Sequence, residues 1–182
     1  MIRIRSASPA DARRLLEIYS YYVTDTAVSF EYDVPSEKEF ASHIENTLQR
    51  YPYLVLEEDG VIAGYAYAGP FKARAAYEFS CELSVYVDRD LRRNGYGRLL
   101  YGALEEELAG RGILNMYACI ADPIKEDTTL TRDSEKFHSR MGFTKVGTFH
   151  SCGRKFGRWY NMIWMEKMIG EHESIRDKED TK

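Results

Sequence analysis

The sequence predicts an α/β fold, one mixed sheet with helices on both faces. Three observations carry that prediction. The 182 residues fit a single domain under a prior of roughly 150 residues per domain. An apolar fraction of 44%, with 14 Tyr, 8 Phe and 2 Trp, supplies material for one packed core and excludes global disorder. The hydrophobic pattern also switches between periods of about 2 and about 3.6 residues, in the order β-α-α-β-β-β-α-β-α-β-β.

Ile2-Arg3-Ile4-Arg5 alternates and reads as a half-buried strand. Ser8-Pro9-Ala10-Asp11 opens a helix, with Ser8 as N-cap, Pro9 at the first helical position and Asp11 three residues beyond the cap. Ala12, Leu15, Leu16, Tyr19 and Tyr22 give that helix an apolar face. Ser36 and Glu39 form a second capping pair ahead of Phe40, Ile44, Leu48 and Tyr51. Tyr53–Leu56 and Val61–Ala68 read as strands joined through Asp59-Gly60, a hairpin signal. Cys81–Val87 is a strand rich in β-formers, and Gly97–Ala109 is a helix ended by Gly110 and Gly112. Met116–Ala121 reads as a buried strand, Asp133–Met141 as a helix stopped by Gly142, and two strands follow near Lys145–Phe149 and Met162–Met168. Residues 1–169 therefore form one domain. From Gly170 onward eight of 13 residues are charged and none is aromatic, which predicts a solvated, disordered tail over 170–182.

The net charge of −4 and pI near 5.7 offer no basic field for nucleic acid. Cys81, Cys119 and Cys152 are too few and scattered for a disulfide framework, and none forms a CxxC pair. His43, His150 and His172 are too dispersed for a metal site, so no metal is expected. The charged N-terminus lacks the apolar run of a signal peptide, and no stretch approaches the roughly 18 apolar residues of a membrane span. A cytoplasmic protein without a membrane partner is the expectation.

The strand ending at Val87 and the helix from Gly97 belong to a βαβ unit, whose strand-to-helix turn suits anionic ligands. That turn is Arg92-Arg93-Asn94-Gly95-Tyr96-Gly97-Arg98. Free N–H groups at a helix start make a phosphate cradle, and glycines let the backbone approach a ligand. The arginines add charge-assisted donors. A P-loop is excluded by spacing and by the missing Lys; a GxGxxG dinucleotide turn fails because its third position is Leu100.

What remains, Arg92-x-x-Gly95-x-Gly97, resembles the acyl-CoA pyrophosphate loop of the GNAT N-acetyltransferase superfamily. Over about Ile2 to Met168 the chain is similar to the phosphinothricin N-acetyltransferase group. The similarity is carried by Tyr51-Pro52-Tyr53-Leu54-Val55, Ala66-Tyr67-Ala68-Gly69-Pro70-Phe71-Lys72-Ala73-Arg74 with Ala76-Tyr77, and Glu82 with Val85-Tyr86-Val87. Ser134-x-x-x-His138 leading to Gly142-Phe143, and Gly153-x-Lys155-Phe156-Gly157-Arg158-Trp159, complete it.

The resemblance implies the GNAT acyl-CoA N-acyltransferase fold, with a mostly antiparallel central sheet, and direct acetyl transfer from acetyl-CoA to a small amine in a ternary complex. Three needs follow: a neutral amine, a polarised thioester carbonyl and a protonated leaving thiol. Alternation places Glu82, Ser84 and Tyr86 on one sheet face and Cys81, Leu83, Val85 and Val87 on the other. A glutamate among apolar neighbours on a central strand is costly to bury, so Glu82 either functions as the base or has a partner such as Arg74. The resemblance gives Val85, Tyr86 and Val87 to the pantetheine arm and the carbonyl, Arg92 to Arg98 to the pyrophosphate, and Ser134 and Phe137 to the cofactor. His138 stands near the thiol, as acid or proton acceptor. Arg74, Tyr77, Lys155 and Trp159 are the substrate-side candidates, the cations holding an acidic acceptor such as phosphinothricin or methionine sulfoximine. A homodimer is implied.

Two departures stand out. Ala121 to Asp133 is longer than its counterpart in the group and reads as a lid or an interface. Thr131 and Asn161 replace an Asn and an Asp that the group commonly carries. No Cys-led motif supports a Cys81–His138 acyltransferase, and a buried Cys is ordinarily a small hydrophobe. A protein N-terminus or lysine as acceptor, or a non-catalytic acyl-CoA sensor, are the alternative readings.

Overall fold

The computed structural model describes residues 1–172; residues 173–182 of the expected tail lie outside the described residues. β1 (Ile2–Ser6) leads through a 3₁₀ turn (Pro9–Asp11) into α1 (Ala12–Thr24), followed by α2 (Glu37–Leu48). β2 (Tyr53–Glu58), β3 (Val61–Pro70), β4 (Ser80–Val87), α3 (Tyr96–Gly110), β5 (Asn115–Asp122), α4 (Asp133–Arg140), β6 (Thr144–Lys155) and β7 (Arg158–Met168) complete the order. The seven strands form one sheet, ordered β1-β2-β3-β4-β5-β7-β6. β4–β5 is its parallel pair, and the other neighbours are antiparallel.

Both capping boxes form. The Ser8 N–H donates to the Asp11 carboxylate at 2.8 Å, and Ser36 N–H donates to Glu39 at 2.8 Å. Pro9 starts a 3₁₀ turn rather than α-helix, and α1 proper begins at Ala12. Each face of the sheet has its own core. α1 and α2 cover Tyr53, Val55 and Tyr65 with Leu15, Ile18 and Ile44, while α3 covers Leu83, Met116 and Ile163 with Leu100, Leu104 and Leu108. Each such side chain contributes about 1.5–3 kcal/mol on full burial.

The largest departure from the sequence pattern is β6, which runs six residues past Phe149. Its register slips between Phe149 and Gly153, with Ser151 at φ +48°, and this bulge hides the continuation from any alternation rule. β6 and β7 then close a hairpin through Phe156-Gly157, both at positive φ.

Candidate functional site

β4 and β5 pair only from Ser80↔Asn115 to Glu82↔Tyr117. Beyond Glu82, β4 continues along β3 as far as Val87↔Gly64, and β5 continues along β7 as far as Asp122↔Asn161. The two central strands therefore part, leaving backbone donors and acceptors on their inner edges without a ladder partner. A cavity of about 70 Å³ occupies the gap, several times the roughly 10–15 Å³ that one water needs. Its walls come from both sheet faces. Tyr101, Ser134 and His138 line it on the α3–α4 side, and Val28, Ser84, Tyr86 and Cys119 on the other.

Glu82 stands at the vertex, on the face that alternation predicts, adjoining the cavity through Leu83 and Ser84 rather than lining it. It is half-buried, and desolvation raises its pKa above the ordinary carboxylate value while Lys72 opposes the shift. Its expected partner is not Arg74: that side chain is exposed, and among the described residues neither takes part in an ion pair. A half-buried carboxylate whose charge is only weakly compensated is a competent proton acceptor.

His138 is 4% exposed, with both ring nitrogens engaged. Nδ1 lies 2.8 Å from the Ser134 carbonyl and Nε2 lies 2.9 Å from the Tyr101 hydroxyl. A carbonyl can only accept, so Nδ1 carries the hydrogen and Nε2 accepts from Tyr101. Burial holds the imidazole pKa down at about 4, so the ring is neutral at physiological pH and is a poor acid there. Desolvation also raises the Tyr101 hydroxyl above its ordinary value. Sequence reasoning missed Tyr101, because a tyrosine among Leu100, Leu104 and Leu108 reads as core.

The turn after β4 has the geometry its sequence implies. Arg93 (φ +71°) and Gly95 (φ +83°) sit in the left-handed region, which Gly95 adopts without cost to a side chain. The Leu99 N–H donates to the Gly95 carbonyl at 3.1 Å, so the N–H groups of Gly95, Tyr96, Gly97 and Arg98 precede the first helical bond and have no acceptor in the helix. A Cβ on Gly97 would come within 3.3 Å of the Phe137 ring, which packs on the helix start and on Tyr101. Arg92, Arg93, Asn94 and Arg98 are exposed around these donors. The Tyr96 side chain is the exception: it is buried in the core, leaving only its N–H for a ligand. Val85 lines the cavity, whereas the Val87 carbonyl already accepts from Tyr22 Oη at 2.5 Å. Helix-start donors, open β4 edge and arginines together fit an anionic cofactor with an extended amide arm.

Of the substrate-side expectations, Lys155 needs correction. Lys155 is 3% exposed, and its ammonium donates to the Val23 and Ser29 carbonyls at 2.7 Å each, so it is committed inside the protein. Arg74, Tyr77 and Trp159 are exposed and outside the cavity lining. Leu130 and Ala121, from the long 121–133 segment, line it instead. This segment is pinned. Asp127 Oδ1 accepts from Thr129 N–H at 2.7 Å and Leu130 N–H at 3.1 Å, and its carboxylate pairs with Arg158. Arg132 bridges Asp122 Oδ1 at 3.1 Å and the Pro123 carbonyl at 2.7 Å. Asn161 ties Asp122 to the β6 bulge, accepting from Ser151 N–H at 2.9 Å. Thr131 accepts from the Asp133 N–H at 3.3 Å at the start of α4 and does not reach the cavity lining.

Cys81 is fully buried, and its thiol is pushed up to about 12, which removes it as a nucleophile. Among the described residues no group of three or more His, Cys, Asp or Glu could hold a metal ion.

The family model described as an acetyltransferase (GNAT) domain matches residues 4–164. A phosphinothricin N-acetyltransferase of Streptomyces viridochromogenes is 34% identical over 166 residues, 91% of this chain and 87% of that protein. An L-methionine sulfoximine/L-methionine sulfone acetyltransferase of Salmonella typhimurium is 32% identical, covering 93% of this chain and 95% of its own length. The solved structure of a GNAT-superfamily phosphinothricin acetyltransferase from Sinorhizobium meliloti, in complex with acetyl-CoA, superposes with a TM-score of 0.86 at 32% identity, over 93% of this chain and 89% of that one.

Proposed function

The chain belongs to the GNAT acetyltransferase family, and on that premise we propose that it moves the acetyl group of acetyl-CoA to the amine of a small amino-acid-like acceptor. Phosphinothricin and methionine sulfoximine, the acceptors in the names of its relatives, define the type. The observation that carries this reading is the position of Glu82 where β4 leaves β5, one residue before Leu83 and Ser84, which line a cavity walled from both sheet faces. Acetyl-CoA supplies the activated acetyl thioester. The α3 N–H groups and Arg92, Arg93 and Arg98 hold its pyrophosphate, and the free edge of β4 around Val85 and Tyr86 holds the pantetheine arm and the developing oxyanion.

Glu82 takes the proton from the attacking amine, its raised pKa bringing it nearer the working pH. The Tyr101–His138 pair faces the cavity from the cofactor side. The Tyr101 hydrogen is held by the neutral His138 Nε2 and burial makes that hydroxyl a weaker acid, so the pair positions the thioester wall, and the departing thiolate is protonated from solvent. Val28, Leu130 and Cys119 bound the acceptor end. Two further inferences accompany this reading. Phe71 stacks on Tyr117 with ring centroids 4.2 Å apart, beside Trp164, and Phe149 and Trp159 are 55% and 54% exposed; these aromatics support a homodimer. Among the described residues no helix is long and apolar enough to cross a membrane, and the need for acetyl-CoA supports a cytoplasmic enzyme.

A thiol-release assay with acetyl-CoA against phosphinothricin, methionine sulfoximine, aminoglycosides, polyamines and peptides tests the acceptor. Turnover concentrated on the two amino-acid analogues is expected. Preference for peptides would move the acceptor to a protein terminus, and acetyl-CoA binding without turnover on any amine would leave a sensor.

A further inference from the structure

We propose that Lys155 is a positioning residue for the acceptor pocket: its buried ammonium holds the segment from Val23 to Ser29 and so fixes the Val28 wall that limits acceptor size. This rests on the acceptor end assigned above. Lys155 is the last residue of β6, at the sheet edge remote from α1 in sequence. Its Nζ nevertheless lies 2.7 Å from both the Val23 and the Ser29 carbonyl oxygens, 132 and 126 residues away along the chain. Val23 belongs to the last turn of α1, where carbonyls have no helical donor and the helix dipole is negative. A buried ammonium is costly unless paired, and here it meets two carbonyls, with the Glu31 carboxylate acting on it from nearby.

The two carbonyls bracket Val28, which lines the cavity. The same segment is fastened to the other acceptor-side elements. Ala27 N–H donates to the Thr129 carbonyl at 3.0 Å, and Tyr32 Oη donates to the Arg154 carbonyl at 2.6 Å. Phe30 fills the space that a side chain at Gly153 would take. Thr129 Oγ1 lies 3.1 Å from Tyr160 Oη, and Ala27, Leu130 and Tyr160 share a small core. The α1–α2 segment, the 121–133 segment and the β6–β7 hairpin thus form one unit, with Lys155 as its charged centre. A cation so engaged is withdrawn from the acceptor's anionic group. It acts on specificity by fixing a wall.

Two variants test this. Lys155→Met keeps length and removes the donors, and Gly153→Ala pushes Phe30 from the opposite side while leaving the ammonium in place. Hydrogen exchange at the Ala27 and Val28 amides should accelerate in both. The acceptor KM should rise about tenfold, with the acetyl-CoA KM moving less than about twofold, because the loss lies in acceptor binding. Bulkier amino acids should lose less than the preferred acceptor does. Unchanged exchange and unchanged acceptor KM would overturn the proposal, as would an equal loss of acetyl-CoA affinity, which marks a general structural role. If Lys155→Met does not fold, Gly153→Ala carries the same expectations. Should the wild type acetylate no amino acid, the functional reading fails, while faster exchange at Ala27 with intact acetyl-CoA affinity still upholds the clamp.

Discussion

The cofactor side of the cleft is one continuous stretch of chain, from Val85 on β4 through Gly95 to Tyr101 on α3, closed by Ser134, Phe137 and His138 of α4. The acceptor side has no such local unit. It is assembled from Val28, the 121–133 segment and the β6–β7 hairpin, held by bonds such as Lys155–Val23 and Ala27–Thr129 that span a hundred residues or more. The contrast is physical. A helix start offers the same unbonded N–H groups wherever it occurs, so a phosphate turn is written in a few adjacent residues. A pocket wall depends on which distant segments pack together, so it is free to change with the acceptor.

If the halves are separable, changes in each should move one substrate and spare the other. Tyr101→Phe leaves the buried His138 Nε2 without its donor beside the thioester and should lower kcat on the order of thirtyfold, with little change in either KM. Equal loss in kcat and acetyl-CoA affinity would make Tyr101 a cofactor contact only. Gly97→Val drives a side chain toward Phe137 and should weaken acetyl-CoA binding about tenfold by calorimetry, leaving the acceptor KM intact. Arg132→Met, which frees Asp122 and the Pro123 carbonyl, should do the reverse by a factor of about five, a loss confined to acceptor binding.

A smaller, spectroscopic effect sharpens the cofactor side. With its pKa near 4, His138 should show no titration shift between about pH 5.5 and 8, the range in which an ordinary imidazole ionises. The sign carries over to stability. The folded chain binds fewer protons at His138 than the unfolded chain does, so that contribution is present above the ordinary histidine pKa and is lost as pH falls toward about 4. Smallest of all, Ser36→Ala removes the α2 cap far from both halves and should cost about 1 kcal/mol in denaturant unfolding without altering either KM.

The same contrast explains what the sequence made legible. Capping pairs, the Asp59-Gly60 hairpin, the face of Glu82 and the turn from Arg92 to Arg98 are local patterns, and each lies where it was expected. Lys155 reads in the sequence as a cation for an acidic acceptor, and nothing adjacent to it announces two carbonyls across the molecule. The end of β6 is hidden because Ser151 and Gly153 lie at a bulge that breaks the alternation after Phe149. Tyr101 carried one usable signal, a hydroxyl on an otherwise aliphatic helix face that must find a partner when buried.

The central claim is that the carboxylate at the vertex of the two parting strands takes the amine proton. Glu82→Gln keeps shape and removes the base, so the most direct measurement is thiol release by this variant and the wild type across pH, with acetyl-CoA affinity measured in parallel. The account predicts a fall in kcat of about 10²–10⁴ at neutral pH with acetyl-CoA binding unchanged, and loss of the limb in which rate rises as Glu82 ionises. Wild-type turnover in Glu82→Gln, with the same pH profile, would contradict it and place the proton acceptor elsewhere in the cleft.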